Sequence, residues 1–176
     1  MKEIMDHTAI TRSITRLSHE IIERNKSLDD VVLVGVKTRG VYLAQRLQSM
    51  ILQFTNIELP YGSLNIRPWR DDLVEEVAIE PLDIDVKDKR VILVDDVLYT
   101  GRTIRAAMDG LVYFGRPKQI QLAVLVDRGH KEFPIKGDYV GKNIPTGKEE
   151  EVIVQLKEID LKEGVFIQWN LKSKIY

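Results

Sequence analysis

The 176-residue chain carries 26 Lys and Arg against 27 Asp and Glu, a net charge of −1, and 44% of its residues are hydrophobic. This is the make-up of a globular protein that buries roughly two thirds of its unfolded surface without a staple, and one domain over residues 1–176 is expected. The absence of Cys excludes thiolate metal sites, dithiol redox chemistry and a cysteine nucleophile.

Ile10, Ile14, Leu17 and Ile21 recur at helical spacing, which predicts a first helix over about 8–25 with Arg12, Thr15, Arg16, His19 and Glu23 on its polar side. The run 31–36 (VVLVGV) has the β-branched continuity of a strand buried on both faces. Lys37-Thr38-Arg39-Gly40 then turns into a second helix, about 41–54, expected to face Leu43, Leu47, Met50 and Phe54 inward. Residues 55–88 are expected to be irregular, punctuated by Pro60, Gly62, Pro68 and Pro81, with a mobile flap over about 60–88. Residues 71–88 hold eight carboxylates and one Lys, a net −7, so the rest of the chain carries +6 and one face could attract a polyanion.

A second buried strand follows at 90–97, then a turn at 98–102, a helix over about 103–114 stopped by Gly115 and Pro117, and a third buried strand at 120–126. Strands alternating with helices at this spacing predict an α/β fold: a central parallel sheet with helices on both faces. Beyond 127 the pattern changes to loops and short strands, with 152–156 and 165–170 the clearest. The apolar runs are too short to cross a bilayer. The first residues lack the apolar core of a signal peptide, so no membrane partner and a cytoplasmic address are expected.

The segment 91–103 (VILVDDVLYTGRT) carries the chemistry. A buried strand ends in Asp95 and Asp96 and runs at once into Thr100-Gly101-Arg102-Thr103 before a helix. This places two carboxylates beside free backbone N–H groups and the positive end of a helix dipole, at the sheet edge where α/β folds bind ligands. A bare phosphate would be repelled by the two carboxylates. They make sense if they accept hydrogen bonds from sugar hydroxyls or lie near a cation, so the ligand implied is a phosphorylated sugar. The competing reading is a solvated turn whose Asp pair caps the next helix.

The string resembles the phosphoribosyl diphosphate (PRPP) signature of the type I phosphoribosyltransferases. The resemblance implies that fold, with a small flexible hood and flap. It assigns Asp95 and Asp96 to the ribose hydroxyls, and Val97, Leu98, Tyr99, Thr100, Gly101, Arg102 and Thr103 to the nucleotide and its 5′-phosphate. Thr38, Arg39 and Gly40 would form the diphosphate loop, and Arg70 of Arg70-Asp71-Asp72 would close the flap. Mg²⁺ would be carried mainly by PRPP, with no protein metal ligand expected.

Longer stretches narrow the resemblance: EIIERNK (20–26), VGVKTRGVYLA (34–44), WRDDL (69–73), VILVDDVLYTGRTIRAAMDGL (91–111), LAVLVDRGHKEFPIKGDYVGKNIPT (122–146) and VQLKEID (154–160). Together they are similar to the bifunctional family of pyrimidine-operon attenuators and uracil phosphoribosyltransferases. That implies conversion of uracil and PRPP to UMP and diphosphate, with Arg128, Tyr139 and Val140 holding uracil. It also implies binding of the messenger RNA leader of pyrimidine genes, controlled by UMP and UTP, through Thr15, His19, Lys131, Lys136 and Lys142, in a homo-oligomer built from dimers. The segment 128–148 carries a net +3, which suits RNA phosphates. The chain departs from the resemblance at Asn65-Ile66-Arg67-Pro68-Trp69, where a Thr-Leu-Tyr type of sequence would be expected before Arg70. A purine phosphoribosyltransferase and a catalytically silent, nucleotide-sensing RNA-binding regulator stand as the alternatives.

Overall fold

Three apolar runs without a polar break build the centre of the molecule. In the computed structural model, which describes residues 1–170, they become β2 (Val31–Val36), β4 (Arg90–Leu98) and β5 (Gln119–Asp127). The last six residues of the expected domain lie outside the described residues. The other elements are β1 (Lys2–Met5), α1 (His7–Arg24), α2 (Arg39–Thr55), β3 (Tyr61–Leu64), α3 (Arg102–Phe114), β6 (Tyr139–Asn143), β7 (Glu150–Gln155), α4 (Lys157–Asp160) and β8 (Gly164–Trp169), with a 3-10 turn at Arg67–Trp69.

The main sheet has the order β3-β2-β4-β5-β6, and every neighbouring pair is parallel. Parallel strands need both faces covered. Alternate residues of β4 therefore pack in opposite directions: Ile92 and Val94 lie against α1 and α2, Val91 and Leu93 against α3. The expected face of α1 is buried at Ile10, Ile14, Leu17 and Ile21, and Asp6 caps the helix by accepting from the Ala9 N–H at 2.8 Å. At the amino edge of the sheet, Arg90 donates to Asp30 at 2.6 Å and Lys118 adds an ion pair to the same carboxylate at 3.0 Å. The starts of β2, β4 and β5 are thus pinned together.

Several elements differ from expectation. Residues 61–64 pair with β2 as an edge strand, so 55–88 is not wholly irregular. Phe54 does not face inward: it is 40% exposed and stacks on His19 with ring centroids 4.2 Å apart, while Ile51 takes the buried position. The N-terminal strand β1 joins β8 and β7 in a separate antiparallel sheet, order β1-β8-β7. Among the described residues no helix is long and apolar enough to cross a membrane.

Candidate active site

The carboxyl ends of β2, β3 and β4 open onto a cleft of about 560 Å³, lined by Lys37, Thr38, Arg39, Asn65, Arg67, Arg70, Asp95, Asp96 and Thr103 among others. An adjoining hollow of about 260 Å³ is lined by Arg70, Asp71, Asp72, Tyr99, Thr100, Arg102 and Thr103. The sequence positions 38–39, 70, 95–96 and 100–103 are therefore brought to one sheet edge.

The close approach of α2 to β4 assembles the first cleft. A Cβ at Gly40 would lie 2.4 Å from the Val94 carbonyl oxygen, so only glycine lets the 37–40 loop sit against the residue before Asp95. In the second hollow, Gly101 adopts φ +90° at the N-terminus of α3, a conformation that costs any other L-residue about 1 kcal/mol or more. The Thr100 carbonyl accepts from the N–H groups of Glu132 and Phe133 at 2.8 and 3.1 Å, so the segment after β5 buttresses this loop.

Asp95 is 6% exposed and Asp96 half-buried. Burial first, then the adjacent Asp96 charge, push the Asp95 carboxyl well above the ordinary range. Its Oδ1 accepts from the Asp96 N–H at 2.9 Å, and Asp96 Oδ1 accepts from the Val97 N–H at 2.8 Å. The pair is fixed by its own backbone and is suited to accept hydrogen bonds from vicinal hydroxyls.

Basic groups face this acidic floor. Arg39 donates to Asp160 at 2.8 Å, which ties the loop to α4, and its Nε is buried without a hydrogen-bond partner among the described residues. Lys37 pairs with Glu80 at 2.5 Å, and Asn65 donates to the same carboxylate; Lys37 first, then Asn65, hold Glu80 below its usual range. Arg70 forms two bonds to Asp72 at 2.8 and 2.5 Å. Arg102 bonds Asp71 and Glu132, each at 2.7 Å. Asp71 thus ties the 70–72 segment to the start of α3.

Among the candidates for the nucleotide, Val97 lines the cleft, but the Leu98 side chain is 1% exposed in the α3-side core. Leu98 can serve only through its backbone, and its carbonyl already accepts from the Arg128 N–H at 3.1 Å.

The uracil candidates divide. Arg128 is at the sheet edge, its guanidinium 3.9 Å from the Tyr99 ring centroid, donating to the Gly147 carbonyl at 3.2 Å with Nε buried and unpartnered among the described residues. Tyr139 is corrected. Its side chain is buried beneath α1, donates to Gln121 at 2.5 Å and accepts from Asn25 at 3.1 Å, so its ring points into the core and not to a base. The Val140 side chain packs on the α3-side core and its carbonyl accepts from Arg16 at 3.1 Å, so this side chain does not open on the cleft either.

The RNA candidates are not gathered in one pocket. Thr15 and His19 line a groove of about 490 Å³ on α1 with Arg12, Arg16 and Glu23. Thr15 donates its hydroxyl to the Thr11 carbonyl at 2.9 Å. Lys131 pairs with Asp127 at 3.4 Å at the end of β5, and Lys142 reaches the Ile4 carbonyl at 3.5 Å. Lys136 is exposed. Lys37, Asn65 and Arg67 were not singled out by sequence; their signal was adjacency to the basic turn and, for 65 and 67, departure from the family pattern.

A parallel sheet whose edge sets an acidic pair between a basic loop and a glycine-led helix N-terminus defines a phosphoribosyltransferase of type I. A family model described as "Phosphoribosyl transferase domain" matches residues 1–160. The fold is also that of the Staphylococcus aureus hypoxanthine phosphoribosyltransferase (TM-score 0.74, 18% identity, 100% of this chain and 95% of that one) and of the Trypanosoma cruzi enzyme (TM-score 0.73, 17% identity, 96% and 97%). Sequence similarity is far greater to the pyrimidine operon regulatory protein of Lactococcus lactis subsp. lactis, 59% identical over 95% of this chain and 96% of the relative. The bifunctional protein PyrR of Streptococcus uberis is 59% identical over 94% and 96%. The chain belongs to the PyrR family of pyrimidine operon regulators within the phosphoribosyltransferases.

Proposed function

We propose that the chain transfers the phosphoribosyl group of PRPP to N1 of uracil, giving UMP and diphosphate, and that it regulates attenuation of a pyrimidine operon by binding the messenger leader in response to uridine nucleotides. The observation that carries the catalytic half is the placement of Asp95 and Asp96 between the 37–40 loop and the Gly101-led start of α3.

Asp95 and Asp96 accept from the ribose hydroxyls and face the sugar as positive charge develops at its anomeric carbon. The start of α3, with Thr100, Gly101 and Thr103, takes the 5′-phosphate. Thr38, Arg39 and Gly40 take the diphosphate, and Arg70 closes over it once it leaves Asp72. Arg128 faces the base, with main-chain groups of the following segment in support. Rate enhancement comes from positioning and charge stabilisation, without a covalent nucleophile.

The oxygen donors of Asp95 and Asp96 fit a hard cation shared with the substrate, and among the described residues no group of three or more His, Asp or Glu side chains converges on a metal position. Mg²⁺ brought by PRPP would neutralise diphosphate oxygens. Within the expected 60–88 segment, the part beyond the anchored 66–69 turn acts as the flap of a single domain in a cytoplasmic homo-oligomer of dimers. Thr15, His19, Lys131, Lys136 and Lys142 contact the leader RNA.

The test is product formation from PRPP, Mg²⁺ and a panel of uracil, hypoxanthine, guanine, adenine and orotate. Turnover with uracil alone is expected. Turnover with a purine would contradict the base assignment, and none with any base would contradict the transferase reading.

A further inference from the structure

The two adjoining hollows contain five cations, and four are already neutralised. Lys37 is held by Glu80, Arg39 by Asp160, Arg70 by Asp72, and Arg102 by Asp71 and Glu132. The fifth, Arg67, lines the cleft of the 37–39 loop and Asp95-Asp96 but not the phosphate hollow. Its side chain makes no hydrogen bond or ion pair among the described residues; the polar ties of the residue are its backbone N–H to Asn65 Oδ1 at 3.1 Å and its carbonyl to the Arg70 N–H at 3.3 Å.

The base of this side chain is fixed. Trp69, two residues on, packs on α3, with its ring centroid 5.8 Å from Phe114 and 5.6 Å from Tyr113, and a Cβ at Gly110 would come within 3.0 Å of its ring. Ile66 is buried in the same α3-side core, and Pro68 stiffens the turn. Arg67 therefore presents an exposed, unpaired guanidinium from an anchored backbone.

We propose that Arg67 is a substrate-binding residue that captures the diphosphate of PRPP. This rests on the phosphoribosyltransferase reading and names a contact for that site. A polyanion reaching Lys37, Arg70 or Arg102 must first displace a carboxylate, whereas Arg67 is free to meet it at once with a two-pronged donor. Its place beside the 37–39 loop and outside the 5′-phosphate hollow selects the diphosphate end of the substrate.

Calorimetric titration of the full chain with inorganic diphosphate and Mg²⁺, and separately with UMP, is to be run on the wild type, Arg67→Gln and Arg67→Lys, alongside steady-state kinetics. Arg67 is exposed and its side chain unpaired, so both variants keep the fold. Arg67→Gln is expected to weaken diphosphate binding and raise KM for PRPP by roughly 10- to 100-fold, the worth of one charged hydrogen-bonding group, with KM for uracil and UMP affinity unchanged; Arg67→Lys recovers part of the loss. Unaltered diphosphate and PRPP constants in Arg67→Gln would overturn the proposal, as would an equal loss of UMP affinity, which would mark a general field effect. A wild type that binds neither diphosphate nor PRPP would remove the underlying reading and the proposal with it.

Discussion

Asp95 follows the buried apolar run Val91–Val94 within β4 and shares its burial. A carboxylate there is costly to the folded chain, because desolvation and Asp96 both favour the protonated form. The sign follows from linkage. With its pKa raised in the folded state, Asp95 binds a proton more tightly folded than unfolded, so stability declines as pH rises from the ordinary Asp value of about 4 through the elevated folded value. Asp95→Asn removes that decline and keeps the bond from the Asp96 N–H. The variant is expected to be as stable as the wild type near pH 4 and more stable at neutral pH, by denaturant unfolding across that range. A variant less stable at neutral pH would show that the carboxylate has structural partners in the absence of ligand. The acidic pair and the TGRT turn were legible because they are contiguous. The partner of Arg102 was not, since its bridge to Asp71 spans 31 residues and nothing in local pattern selects one carboxylate of the 71–88 segment over another. Tyr139 misled for a related reason: as an aromatic in the segment that the resemblance assigns to the base it has the chemistry of a base platform, but its place on the α1 side of β6 gives it to the core.

Among elements, β2, β4 and β5 were readable because strands buried on both faces admit only apolar side chains. β6 contains Gly141, Lys142 and Asn143 and borders the sheet, so its pattern is weak. β1 finds its partner β8 more than 150 residues away, a pairing no local signal encodes. The ends of α2 show the same limit: the sequence places Phe54 inward, but the helix has run past the sheet by then, and the ring covers His19 instead. The amino edge depends on the Asp30 cluster. Bonds from Arg90, then Lys118, lower the Asp30 pKa to about 2. A depressed carboxylate stabilises the fold above its unfolded value near 4, and the contribution fades as pH falls toward 2. With the carboxylate about a quarter exposed (27%), solvent screening leaves about 1 kcal/mol. Asp30→Asn is expected to lower unfolding free energy by that amount at pH 7 and by little at pH 2, with turnover unchanged because the cluster lies at the opposite sheet edge from the cleft. An equal loss at both pH values would contradict the electrostatic assignment.

At the scale of the whole molecule, near-neutral net charge conceals a division. Carboxylates of the 71–80 segment pair with Lys37, Arg70 and Arg102, while Lys131, Lys136 and Lys142 lie on the segment from β5 through β6. If this segment and α1 meet a leader hairpin, affinity falls with salt at a log–log slope of roughly −0.7 per phosphate contact for single strands. Replacing the three lysines by Gln is expected to flatten that slope by about 2 if all three meet phosphates. An unchanged slope in a gel-shift or fluorescence titration would remove them from the interface.

The central claim is that Asp95 and Asp96, held between two phosphate-binding loops, carry out phosphoribosyl transfer. It is tested most directly by UMP formation from PRPP and uracil with the Asp95→Asn, Asp96→Asn double variant beside the wild type, each verified as folded by thermal unfolding. Rapid turnover by the wild type and its loss in the folded variant are expected; a variant that still forms UMP at the wild-type rate would place the reaction elsewhere.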